Sequence, residues 1–192
     1  KPMSNLSLSV GPTLELSKND IQWVTRVDDD LMTATYGKRY VFGRIDEKVL
    51  GSEIRVDWTF TPRLTLQAYL QPYLAVGHYD MFKELAAPKT YEYNVFGAGG
   101  SASTIGYDEA SGLYTVDPDG TAGAAAPFSF GNPDFNYKSL RGTVVLRWEY
   151  RPGSLLYFVW TQNRADFANP GDLRLGRDLG DLFSAPGDNI FL

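Results

Sequence analysis

The sequence predicts an all-β fold: an antiparallel up-and-down β-barrel of the outer-membrane type. About eight strands are in view, and they read as part of a larger barrel. Three observations carry this expectation. Apolar and polar residues alternate with period two over long stretches. Tight proline turns fall at one end of the strands and long loops at the other. The polar faces mix Arg with Glu and Asp and contain almost no Lys, which suits a crowded, ion-paired interior.

The elements follow in order. In "LSLSVGPTLEL", Leu6, Leu8, Val10, Leu14 and Leu16 share a face against Ser7, Ser9, Thr13 and Glu15. In "IQWVTRVD", Ile21, Trp23 and Val27 oppose Gln22, Arg26 and Asp28. Residues 39–46 alternate less cleanly. "SEIRVDWTFT" is the clearest case, with Ile54, Val56, Trp58 and Phe60 on one side and Glu53, Arg55, Asp57 and Thr59 on the other. After the turn Thr61-Pro62-Arg63, Leu64, Leu66, Leu70 and Leu74 oppose Thr65, Gln67, Tyr69, Gln71 and Tyr73. Pro72 inside this run implies an edge, a bulge or a rim.

Two more strands flank Arg151-Pro152-Gly153. Leu140, Val144, Leu146, Trp148 and Tyr150 face one way, and Arg141, Thr143, Arg147, Glu149 and Arg151 the other. Leu155 to Trp160 is apolar on both faces, and "NIFL" begins a last strand. Residues 1–192 therefore read as one barrel domain or a C-terminal barrel piece. Residues 78–137 read as a long loop holding a small hairpin, and 166–188 as a second long loop.

Composition bounds the rest. The 192 residues suffice for one domain with a real core. No apolar run reaches eighteen residues, so no transmembrane helix is expected. A net charge of -5 with no basic stripe argues against nucleic acid. There is no cysteine, so thiol chemistry and disulfides are excluded. "KPMSNL" lacks a signal-peptide pattern and "DNIFL" stops within a strand pattern, so the chain reads as a piece of a longer protein.

Several segments in order carry a family likeness: "TATYGKRYVFGRID", "WTFTPRLTLQAYLQPYL", "FKELAAPKTYEY", "YTVDPDG", "FGNPDFNYKSLRGTVVLRWEYRPGSLLYFVWTQ" and "PGDNIFL". Together they resemble the C-terminal domain of unknown function in bacterial proteins that carry an N-terminal module similar to family 9 carbohydrate-binding modules. The resemblance implies a secreted, outer-membrane-associated protein with a C-terminal β-barrel, tied to carbohydrate through a module absent from this chain. It supplies no catalytic or sugar-binding residue to carry over.

The candidate site is the polar set Glu53, Arg55, Asp57, Arg141, Arg147 and Glu149. In a barrel these groups would line the lumen and pair across it, either holding the wall in shape or lining a path for polar or anionic solutes. Trp58, Phe60, Trp148 and Tyr150 sit near the tight turns, where an aromatic girdle would lie. Asp28, Asp29 and Asp30, with Asp117 and Asp119, are weak calcium candidates that lack the spaced-acid loop pattern. His78 is the only histidine, and a rim position explains it more simply than catalysis.

No G-x-S-x-G, P-loop or HExxH pattern occurs, and no cofactor or metal is expected. The expected role is therefore a non-enzymatic anchor or transport element in the bacterial outer membrane. Its partners would be the lipid bilayer, carbohydrate through the missing module, and other chains at open barrel edges. A soluble barrel or sandwich around an apolar ligand, and an outer-membrane hydrolase resting on His78, stay open at this level.

Overall fold

A computed structural model describes residues 3–168 and 170–192; Lys1, Pro2 and Asn169, the last inside the second expected loop, lie outside them. The strands are β1 (Leu6–Asp28), β2 (Lys38–Thr61), β3 (Leu64–Leu85), β4 (Tyr93–Val95), β5 (Thr104–Asp108), β6 (Leu113–Asp117), β7 (Phe128–Gly131), β8 (Phe135–Arg151), β9 (Ser154–Ala168) and β10 (Gly187–Phe191). One helix, α1 (Leu175–Ser184), precedes β10, and a 3-10 turn at Thr33–Thr35 joins β1 to β2. The fold is thus mostly antiparallel β.

The large sheet runs β1-β2-β3-β8-β9-β10, with β4 added to β3. A second sheet, β5-β6-β7, is built from sequential neighbours. The large sheet is open, with β1 and β10 at its two ends.

Three sequence expectations are corrected here. The stretches 6–16 and 21–28 are one strand of 23 residues, and 39–46 joins 52–61 in one of 24. β3 runs on to Leu85, so the expected loop from 78 begins as strand, and its hairpin is a three-stranded sheet. Pro72 sits in an interior strand, flanked by β2 and β8, and not at an edge. One missing N–H is a small loss in a strand of 22 residues. Gly51 of β2 faces β1 more tightly than it faces Pro72: an ideal Cβ there would lie 2.8 Å from the Thr13 hydroxyl and 4.0 Å from the Pro72 carbonyl oxygen.

The chain divides into two compact units. One comprises residues 1–16, 47–76 and 135–192, and the other 17–46 and 77–134. The second has a conventional core of Val41, Ile45, Tyr79, Phe82, Phe96, Val116 and Phe130. Phe82 is its centre, with ring centroids 4.7 Å from Tyr114 and 5.1 Å from Phe130. Gly43 permits this packing, because a Cβ there would stand 3.2 Å from the Phe82 ring. Burying a phenylalanine of this kind contributes about 2–3 kcal/mol.

A buried ion cluster closes the same unit. Arg39 donates from Nε to Asp29 at 2.7 Å and from Nη1 to Glu84 at 2.6 Å, tying the β1–β2 turn to β3. Arg39 and Glu84 are both buried. Burial alone would push the Asp29 carboxyl up, but the Leu31 N–H and the Arg39 guanidinium outweigh it and hold it below the usual value.

Replacing Arg39 with Ala strands the Glu84 charge, and should cost about 3–5 kcal/mol. Hydrogen–deuterium exchange over residues 38–46 and 79–85 reads this as faster exchange, and unchanged exchange would refute it. Because the Asp29 value is depressed, its contribution is present above about pH 3.9 and fades as pH falls through the folded-state value. The same segments should therefore loosen on acidification at constant intrinsic exchange rate, and less so in Arg39→Ala.

Candidate functional site

In the first unit β1, β2, β3 and β8 each have two chemically distinct faces. The odd-numbered face carries the predicted polar set. Arg55 donates to Glu53 of its own strand at 3.4 Å and lies 5.0 Å from the centroid of the Tyr69 ring. Asp57 accepts from Gln67 Nε2 at 3.1 Å, across the β2–β3 pair. Glu149 accepts from the Gly153 N–H at 2.9 Å and so braces the β8–β9 turn. Arg55, Asp57, Gln67, Tyr69, Thr143 and Val145 line a shallow recess of about 400 Å³.

The cross-sheet ion pairing expected of this set is not what forms. Glu53–Arg55 is the set's one ion pair among the described residues, and Arg141 and Arg147 make none within 4.0 Å. Carboxylates of β2 and guanidiniums of β8 lie on strands separated by β3, whose Gln67 and Tyr69 stand between them and take the contacts instead.

The even-numbered face is an apolar band. It comprises Leu6 to Leu16 on β1, Leu50 to Phe60 on β2, Leu64 to Val76 on β3, Leu140 to Tyr150 on β8, and Leu156, Phe158 and Trp160 on β9. Much of it stands open, with Leu14 64%, Leu16 68% and Phe158 53% exposed, while Leu74, Val76 and Leu140 at its far end are buried. Each long stretch covers about eleven to thirteen residues, or about 36–43 Å of strand. Charge follows on every strand, at Lys18, Lys48, Asp80, Lys138 and Arg164.

The predicted girdle residues lie at the turn end of this face. Trp58 and Phe60 have ring centroids 4.2 Å apart, and Trp148 and Tyr150 6.2 Å apart. The two pairs are equivalent in sequence, since each Trp is four residues and each partner ring two residues before a turn proline. A register irregularity between Glu149 and Arg151 marks the end of the β8–β9 ladder.

β9 is different. Leu155 and Tyr157 on its odd face are 45% and 51% exposed, so about half of each stands open. Its upper part carries α1, which packs on β8 and β9. Asn136 donates to Asp178 at 3.0 Å, and Lys138 to Asp166 at 2.6 Å; Arg164 donates to the Phe183 carbonyl at 2.6 Å. Asn136, Lys138, Asp178 and Leu182 are fully buried. Outside the strands, Arg177 beside Asp172 holds that carboxyl below its ordinary range.

His78 meets a partner the sequence did not suggest. Its Nδ1 lies 2.8 Å from Asp134 Oδ2, while Asp134 Oδ1 accepts the Tyr79 N–H at 2.7 Å. Asp134 immediately precedes β8, so its carboxylate continues the hydrogen bonding of β3 where the β8 ladder begins. No serine or threonine hydroxyl bonds to His78 among the described residues, which leaves the arrangement without the nucleophile a hydrolytic triad needs.

The calcium candidates are dispersed among other partners. Asp28 pairs with Lys38, Asp29 with Arg39, and Asp30 is exposed. Asp117 accepts the Gly120 N–H and Asp119 the Ala125 N–H, each closing a turn. Among the described residues no three His, Cys, Asp or Glu gather as a metal site.

No family model, no curated protein and no solved structure matches the chain.

Asp134→Ala removes the acceptor from both Tyr79 N–H and His78 and should destabilise the strand junction by about 1–3 kcal/mol. His78→Ala leaves the Tyr79 bond intact and should cost less. Urea unfolding of the two variants gives the comparison, and equal losses would contradict it.

Proposed function

We propose that the chain is a segment of a bacterial outer-membrane β-barrel wall, serving as a membrane anchor or transport element and not as an enzyme. The observation that carries this reading is the exposed apolar band. Tilted by about 40°, strands of this length would cross about 28–33 Å, close to the roughly 30 Å hydrocarbon core of a bilayer. A water-facing protein rarely leaves so large a contiguous apolar surface open.

The two faces then acquire assignments. The even-numbered residues face lipid, and Trp58, Phe60, Trp148 and Tyr150 sit at the interface near the short turns. The odd-numbered residues, with Arg55, Asp57, Arg141, Arg147 and Glu149, face the lumen. Closure requires further strands against β1 and β10, from the same protein or from neighbouring chains, since unpaired strand edges are untenable in lipid. Carbohydrate enters only through the family resemblance, as the ligand of a separate module.

α1 does not span: among the described residues no helix is long and apolar enough to cross a membrane. The strands alone carry the proposed crossing.

The reading makes two measurable demands. The purified protein should be monodisperse in detergent micelles and associate when detergent is removed; a monomer that persists without detergent would sink it. Val56→Arg, near the middle of the band, should weaken folding of the closed barrel into vesicles by about 2–4 kcal/mol. Gln67→Arg, on the opposite face, should change it far less. Equal penalties would show that the two faces are not in different solvents.

A further inference from the structure

We infer that α1 is a lipid-contacting element that replaces strand surface at the outer boundary of the apolar band. This rests on the membrane reading above. The helix packs on β8 and β9 just beyond the band, where Asn136, Lys138 and its own Leu182 are fully buried. Asn136, Lys138 and Arg164 hold the helix in place through Asp178, Asp166 and the Phe183 carbonyl.

Having covered that surface, the helix presents an apolar surface of its own. Leu175, Leu179 and Phe183 follow at four-residue spacing and so form one stripe. They are 50%, 37% and 62% exposed, while the two fully buried positions of the helix are Asp178 and Leu182. The polar residues Arg177 and Asp181 lie on the other flank. The Phe183 carbonyl accepts from Arg164, four residues beyond Trp160, which stacks on Phe191 at 6.4 Å; the stripe therefore stands just past the charged and polar end of the apolar band on β9. The occupant that this place at the end of the band selects is the headgroup–acyl boundary of the bilayer, where amphipathic helices bury one flank by about 5–10 Å.

The absence of native cysteine makes a direct test possible. Single variants Leu175→Cys, Leu179→Cys, Val56→Cys and Glu109→Cys, each carrying a polarity-sensitive fluorophore, are made in the closed barrel, with the strands that complete it, and refolded into dioleoylphosphatidylcholine vesicles. Val56 marks the centre of the band, and Glu109 an exposed turn between β5 and β6. The label at Leu179 should be quenched several-fold more by a spin label high on the acyl chain than by one near its end, and little by aqueous iodide. Leu175, a second surface position of the same stripe, should behave alike. Iodide quenching at both helix positions, with Val56 protected in the acyl region, would overturn this inference and leave the barrel reading standing. Iodide access at Val56 would overturn both.

Discussion

A β-strand offers two faces and no more, so a strand that passes between two solvents can respond only by exchanging which face is apolar. β2 does this within a single run of residues. Its even positions from Leu50 to Phe60 are apolar with one serine, and its odd positions there are charged or small. Nearer its start the odd positions Val41 and Ile45 are buried, while Arg44 and Asp46 occupy even positions. β1 changes in the same sense, from Leu14 and Leu16 to Ile21 and Trp23. In β3 the positive φ of 48° at Met81 accompanies a change in which Phe82 joins Tyr79 beside Gly43. The rest of the molecule accommodates this exchange: a buried aromatic core where apolar residues turn toward protein, and an open apolar surface where they do not.

The same exchange explains how much of the fold was legible in the sequence. The alternation is clearest in residues 52–61 and persists through 64–77 and 140–151 despite Pro72, Gly142 and Val145, and the strands are there. The faces of the predicted polar and aromatic residues are likewise as the alternation implies. The joins at 17–20 and 46–51 were unreadable as strand because period-two reasoning assumes one environment along the run. A change of phase looks like a break in the chain when it is a break in the surroundings. The extension of β3 to Leu85 was obscured for a similar reason, since the sequence around Met81 loses its alternation where the backbone departs from regular strand geometry.

Partners across strands were harder to foresee than faces. Arg55 meets Tyr69, and Asp57 meets Gln67, because of the β2–β3 register, which a single sequence does not state. Asp134 sits in "GNPDF", where a turn explains an aspartate fully, and its contact with His78 arises from topology across 56 residues. Lys138 left a better clue. It stands at an even position, in line with Leu140 and Val144, and a buried ammonium in such a row requires a carboxylate nearby. Asp166 and Asp181 provide it, at 2.6 and 3.7 Å.

The insertion between β3 and β8 also bears on the order of assembly. Pairing these strands means closing a loop of some fifty residues, and an unstructured loop must lose chain entropy before the first ladder bond compensates. β5, β6 and β7 are neighbours in sequence, need only local contacts, and form their own sheet. Once that sheet exists, the chain between β3 and β8 behaves as a shorter tether, and the Asp134 bonds to Tyr79 and His78 clasp its two ends. An insertion that folds on contacts of its own thus offsets part of the chain entropy that its length would otherwise cost the β3–β8 pairing.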